Sequence, residues 1–245
     1  MTLPTLVLIH GAGDTARVWE STQVFLTAPS VAVDVLGRST RPFDLTQVTI
    51  ELAAMQVAAD VRSATMGPVI VVAHSASGVI GPRVVATLGA QACHLVLVAG
   101  VTAPEGEVAA DTVHPERREA FLEARPRMLR EHAGSSYARG DALAQLPGHL
   151  RAIDDPRTVR AIESLNLMFQ PVSWAGVSRD LPRTFVRPLG DQLQTPEMQA
   201  RLITAARCSE IIDIDADHTP ARSAPRALAT MLDEIASRYA STTAQ

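Results

Sequence analysis

Ser75 stands at the end of an apolar run, Val69-Ile70-Val71-Val72-Ala73-His74-Ser75-Ala76-Ser77-Gly78, with small side chains two residues to either side of it. A serine hydroxyl is unreactive at its ordinary pKa. Chemistry on it needs a tight strand-to-helix turn, a base within reach and backbone donors facing the attacked group. Such a turn crowds its flanks, so only small residues fit there. Ala73 and Ser77 stand where the commonest form of this nucleophile elbow, G-x-S-x-G, has glycines, which keeps the steric logic but makes the turn tighter. An ordinary β-turn-α junction with an incidental serine has the same local pattern, so the reading depends on partners elsewhere in the chain.

An activated serine needs a general base, and the base needs an acid to orient it. Of the seven histidines, His218 is the best placed, because it follows the apolar run 211–214 and precedes the last helical pattern, at what should be the carboxyl end of a strand. His74 adjoins the serine, where a residue on a sharp turn points away from the catalytic face. His10 ends the first apolar run and reads as an organiser of the turn after it. His94, His114, His132 and His149 read as surface or cap residues. For the acid, Asp191 directly follows the run 184–187 and precedes a helix announced by Thr195-Pro196-Glu197. The order Ser, Asp, His along the chain is the one associated with this elbow. Asp215 reads as part of its strand and Asp217 as a shaper of the loop, with Glu105 or Glu107 as the fallback acid.

Charge developing on an attacked carbonyl oxygen needs preorganised donors, and losing one costs about 2.7–4 kcal/mol of barrier. Two backbone N–H groups fit: Ala76, at the start of the elbow helix, and Ala12, in His10-Gly11-Ala12-Gly13 after the first apolar run. Alone, that second loop could be a glycine-rich β-α turn. A nucleotide loop is a poorer match, since the segment lacks G-x-G-x-x-G.

The elements that must carry these residues are legible as six short apolar runs, at 6–10, 31–35, 69–73, 95–99, 184–187 and 211–214. Their continuous apolarity predicts strands buried on both faces. Helical patterns at 46–65, 78–88, 196–206 and 225–239 alternate with them, which predicts β-α-β crossovers and a mostly parallel sheet with its site at the carboxyl ends of the strands. About eighty residues separate the fourth run from the fifth, too many for a structureless loop. Helical signals at 116–132 and 158–168 suggest a helical cap inserted over the active end, residues 101–179, between core segments 1–100 and 180–245.

Composition removes other chemistries. All 22 basic residues are arginine, so a Schiff-base lysine or a P-loop lysine is excluded, and the net charge of −4 with scattered arginines gives no nucleic-acid footprint. No stretch is long and apolar enough to span a bilayer, and no secretory signal is evident, so a cytoplasmic protein is expected. Cys93 and Cys208 each precede a predicted strand and have no metal or redox spacing.

With His10-Gly11-Ala12-Gly13 and Trp19, the serine at 75, Asp191 ahead of Thr195-Pro196-Glu197-Met198-Gln199, and His218 before a proline-containing last helix, the chain resembles the α/β-hydrolase superfamily over nearly its full length. The sequence Val-Ala-Gly-Val-Thr-Ala-Pro-Glu-Gly at 98–106 is similar to the small branch of plant methyl esterases, hydroxynitrile lyases and related bacterial esterases. The resemblance implies a sheet of about eight strands, two more than inspection finds. The lyases of that branch use a threonine just after the first-strand histidine and a lysine just after the catalytic one; here those places hold Gly11 and Thr219. The expected activity is therefore a cofactor-free, metal-free serine hydrolase that cleaves a carboxylic ester through Ser75, His218 and Asp191. A same-fold carbon-carbon hydrolase, cyclase, lyase or perhydrolase, or a non-enzymatic receptor, remains as an alternative. Met128, Tyr137, Leu165, Met168, Phe169 and Trp174 are the candidate pocket residues, for a small, largely apolar ester. Neither nucleic acid nor membrane is expected as a partner, and the chain is compatible with a homodimer.

Overall fold

The computed structural model describes residues 2–37, 41, 43, 47–113, 115–117, 119 and 165–240. The six apolar runs form six strands, β1 (Thr5–Ile9), β2 (Ser30–Val33), β3 (Val69–His74), β4 (Ala92–Val98), β5 (Arg183–Pro188) and β6 (Glu210–Ile214), in the order β2-β1-β3-β4-β5-β6. Every neighbouring pair is parallel. The further strands implied by the resemblance are not among the described residues.

Strand side chains alternate between faces, and here both faces are apolar. Val7, Ile9, Val69, Val71, Leu95, Leu97 and Phe185 face one core; Leu6, Leu8, Ile70, Val72, Val96, Val98 and Val186 face the other. Among the described residues the helices are α1 (Glu20–Gln23), α2 (Ile50–Ala64), α3 (Gly81–Leu88), α4 (Ala109–Val113), α5 (Pro196–Ala206), α6 (Pro220–Ser223) and α7 (Pro225–Ser237). Helices α2, α3 and α5 cover the first face, and α7 with Val18 and Trp19 covers the second. The result is a three-layer α/β/α domain. Helix α5 begins where its sequence predicts, with the Thr195 hydroxyl accepting from Met198 N–H at 3.3 Å and Pro196 in the first turn.

The chain runs from β1 outward to β2 and then returns past β1 to β3, so the winding direction reverses between β1 and β3. A parallel sheet places its ligand crevice at such a switch point, outside the carboxyl ends of the strands, and the loops that follow β1 and β3 meet there. One loop holds Gly11 and Ala12, and the other holds Ser75.

The long insertion has a pinched neck. Val108 pairs antiparallel with Pro171, Gly106 N–H donates to Val172 O at 2.9 Å and Val172 N–H to Glu107 O at 2.8 Å. Between these points α4 and two 3-10 turns, Pro115–Arg117 and Leu165–Phe169, are described; most of the helices expected at 116–132 and 158–168 lies outside the described residues. Two expectations are corrected. Cys93 lies within β4 rather than before it, and His94, expected at the surface, is only 2% exposed in the same strand, where long-range partners satisfy its ring.

Candidate active site

Ser75 follows β3 directly with φ of +49°, a left-handed conformation that side-chain-bearing residues seldom adopt and that marks a strained turn. Its carbonyl accepts from Val101 N–H at 2.8 Å. The approach is so close that a Cβ on Gly78 would sit 2.8 Å from Val101 N and overlap the Val101 carbonyl. The two departures from the elbow motif are accommodated locally. The Ala73 methyl faces Gly81, where even an added Cβ would stand 3.6 Å away, and the buried Ser77 hydroxyl donates to the His10 carbonyl.

Ser75 Oγ lies 2.8 Å from His218 Nε2, and His218 Nδ1 lies 2.7 Å from Asp191 Oδ2. A carboxylate can only accept, so Nδ1 carries the imidazole proton and Nε2 accepts from the serine hydroxyl. The other Asp191 oxygen accepts N–H from Leu193 at 2.8 Å and Gln194 at 2.9 Å. Burial, the strongest single influence, raises the Asp191 pKa, but the hydrogen bond and charge of His218 and the two N–H donors together hold it below the ordinary carboxylate range. The Asp191 side chain is 1% exposed and that of His218 15%, so the acid is shielded while the imidazole reaches the crevice.

The other carboxylates have different employment. Asp217 accepts from Thr219 N–H at 2.8 Å and from the Ser223 hydroxyl at 2.7 Å, which shapes the histidine loop. Asp215 lies just beyond β6 and is exposed, and Glu105 binds the Ser173 hydroxyl and Trp174 N–H across the neck of the insertion.

The glycine loop packs against the elbow. An added Cβ on Gly11 would come within 2.7 Å of His74 Nδ1 and 3.0 Å of Ser75 Cβ. Ala12 is exposed beside it, and Ala76 is the second residue of the 3-10 turn Ser75–Val79, where the leading N–H groups have no partner within the turn. His10 shapes this loop, donating from Nδ1 to Gly11 O at 2.8 Å and accepting Val35 N–H at Nε2 at 3.2 Å. An ion pair between Asp14 and Arg222 ties the loop to α6, the helix that follows His218.

Two buried residues stand at the site that the sequence did not nominate: Gln194, which it did not single out, and His74, which reads there as pointing away. Gln194, besides its N–H to Asp191, donates from its side chain to Ala99 O at 2.7 Å, where the chain leaves β4 with φ of +46°. His74 donates from Nε2 to the His218 carbonyl at 2.9 Å. Its position next to Ser75 was the only signal for it in the sequence; Gln194 offered none.

The candidate pocket residues fall in different places. Met128 and Tyr137 lie outside the described residues. The turn Leu165–Phe169 packs against the elbow turn, with Leu167 buried in the first core, Met168 half-buried against it, and Phe169 buried. Trp174 donates from its indole N–H to Ala103 O at 2.9 Å and carries the Arg183 guanidinium 4.6 Å above its ring. It lines a cavity of about 910 Å³, with Arg179, Arg201 and Glu107, that includes none of Ser75, Asp191 and His218. Among the described residues no group of three or more His, Cys, Asp or Glu side chains is placed to hold a metal ion, and no helix is long and apolar enough to cross a membrane.

A search of curated protein sequences finds no match. Solved structures with the same fold include pyrethroid hydrolase PytH (19% identity, 98% of this chain and 100% of that one, TM-score 0.72). They also include an extracellular alpha/beta-hydrolase from a Paenibacillus species (18%, 94% and 98%, TM-score 0.73) and a methylesterase, MES16, from Arabidopsis (16%, 96% and 100%, TM-score 0.67). The family model described as the alpha/beta hydrolase family matches residues 6–231, nearly the whole chain. The chain belongs to the alpha/beta hydrolase family.

Proposed function

We propose that this chain is a serine hydrolase that needs no cofactor and cleaves carboxylic esters. The observation that carries the reading is the unbroken hydrogen-bonded line from Ser75 Oγ through His218 to Asp191, begun by a serine held at φ of +49°. As Ser75 Oγ attacks the carbonyl carbon, its proton passes to His218 Nε2, and Asp191 stabilises the imidazolium. The N–H groups of Ala12 and Ala76 bind the developing oxyanion. His218 then protonates the departing alcohol, and a water molecule, activated in the same way, releases the acid from the acyl-enzyme.

The turn Leu165–Phe169, next to the elbow, forms one wall of the substrate space in this reading. In this reading residues 101–179 serve as the cap, and the bridge between Val108 and Pro171 lies where its two ends come together. A largely apolar, neutral ester fits such a wall, and a neighbour named as a methylesterase agrees with ester chemistry. Cyanohydrin cleavage is disfavoured by space as well as by the missing lysine. A threonine at position 11 would thrust its Cβ to 2.7 Å from His74 Nδ1.

The test is turnover of a p-nitrophenyl ester series by wild type and by Ser75→Ala, with circular dichroism to verify the fold. Loss of turnover in a folded variant is expected; near wild-type activity would falsify the assignment.

A further inference from the structure

His74 contributes nothing to the triad itself, yet it is buried between the nucleophile loop and the histidine loop. Its Nε2 lies 2.9 Å from the main-chain carbonyl of His218, a residue 144 positions later in the chain. A carbonyl oxygen only accepts, so Nε2 bears the hydrogen. Nδ1 is buried without a partner, against the Cα of Gly11. A second proton there would be an unpaired charged donor in a dry site. Burial, and next the nearby His218, push the His74 pKa down to about 3, so the ring stays neutral. The ring is also fixed laterally, edge-on to Trp19 at 6.3 Å and tilted against the His218 ring at 5.4 Å between centroids.

We infer that His74 is a positioning residue for the reaction at Ser75, holding the backbone of His218 so that the imidazole stays aimed at the serine hydroxyl. The inference rests on the hydrolase reading of the site. Two consecutive residues of the β3–elbow junction grip the same histidine from two sides: Ser75 takes the imidazole Nε2 at 2.8 Å, and His74 takes the main-chain carbonyl at 2.9 Å. His218 sits in a loop between β6 and α6, and His74 supplies the hydrogen bond described on its carbonyl. Without it the backbone of the loop is held by Asp217, and the remaining tie described between His218 and the β3–elbow junction is the Ser75 bond that has to be aimed. Because His74 is neutral, it also adds no like charge when His218 becomes an imidazolium.

Three substitutions separate positioning from packing. His74→Leu and His74→Met remove the donor with two side-chain shapes, and His74→Gln returns an N–H at about the reach of Nε2. With a p-nitrophenyl ester, kcat of the Leu and Met variants should fall by about 10- to 100-fold, as for a small misplacement of a reacting group. KM should stay within about twofold, and the Gln variant should recover most of kcat. Inactivation rates with a fluorophosphonate should follow kcat and not the melting temperature. The inference is overturned if folded Leu and Met variants keep kcat within about twofold of wild type, or if Gln is as impaired as Leu. It is also overturned if Leu and Met fail to fold while Gln folds, since the bond would then serve the fold and not the rate. Ser75→Ala, assayed in parallel, keeps the two ideas apart: activity there defeats the hydrolase reading, whereas its inactivity beside unimpaired Leu and Met variants defeats only the role of His74.

Discussion

At the carboxyl ends of the strands Ser75 meets His218 and His218 meets Asp191; at the amino ends of the same sheet Tyr239, His94, Thr184 and Glu210 form a second line of hydroxyl, imidazole and carboxylate. The residue types are nearly the same, but the protons run differently. Glu210 accepts two N–H groups of Arg238, at 2.8 and 2.9 Å, and the Thr184 hydroxyl at 2.7 Å. With its hydrogen spent, Thr184 Oγ1 accepts from His94 Nε2 at 2.8 Å, which leaves Nδ1 to accept the Tyr239 hydroxyl at 2.7 Å. In the first line the aliphatic hydroxyl donates to the histidine, and so can lose its proton to it. In the second it receives from the histidine, and gains no nucleophilicity. Exposure follows the same division: Thr184 is fully buried in β5, whereas Ser75 is half-buried on a left-handed turn at the mouth of the crevice. In the proposed reading, the direction of the proton and access to the hydroxyl, more than the set of residues, separate the reactive site from a clasp on the end of the last helix.

The sharpest way to break this contrast is to change both histidines alike. His218→Gln should lower kcat/KM for a p-nitrophenyl ester by about 10⁴-fold or more, and Asp191→Asn by a comparable factor. His94→Gln should leave kcat/KM within about threefold of wild type. Comparable losses at the two histidines would remove the distinction between the lines.

The clasp should reveal itself in stability instead. Tyr239→Phe leaves the buried His94 Nδ1 without its donor, at a cost of about 1–3 kcal/mol. Differential scanning calorimetry should show a melting point lower by about 2–4 °C for each kcal/mol, with ester turnover unchanged. An unaltered melting point would mean that the amino-end line carries no load.

A smaller effect is read by titration. Burial pushes His94 down to about 4 and His74 to about 3, so between pH 6.5 and 5 the unfolded chain takes up protons at these positions that the folded chain does not. Stability present above pH 6.5 is therefore lost as the pH falls, by about 1.4 kcal/mol per pH unit for each histidine once well below its unfolded pKa. Urea unfolding at several pH values in that window should show the slope, and His94→Gln should reduce it. A slope that His94→Gln leaves intact would contradict the buried neutral state of His94.

Much of this was legible because it is local. Six apolar runs became the six strands, and the Thr195-Pro196-Glu197 signature opened α5 at Pro196. Ser75, Asp191 and His218 could be nominated because each follows an apolar run, and a parallel sheet gathers such positions at one end. What the sequence concealed depends on contacts between distant residues. His94 reads from the sequence as a surface or cap residue, but its buried ring is satisfied by Thr184 and Tyr239, 90 and 145 positions away. Gln194 carries no signal in the sequence, yet its side-chain amide donates to Ala99 O, 95 positions earlier. Ala99 read as the end of a strand, yet its φ of +46° ends β4 at Val98, because local apolarity does not report a left-handed turn.

The central claim is that Ser75 is a nucleophile whose proton His218 removes. Its most direct test is intact-protein mass spectrometry after exposure to a fluorophosphonate, followed by peptide mapping. The account predicts one adduct per chain, on Ser75, formed far more slowly in His218→Gln and absent in Ser75→Ala. Well-folded wild-type protein that takes up no adduct, or that carries it on a residue other than Ser75, would contradict it.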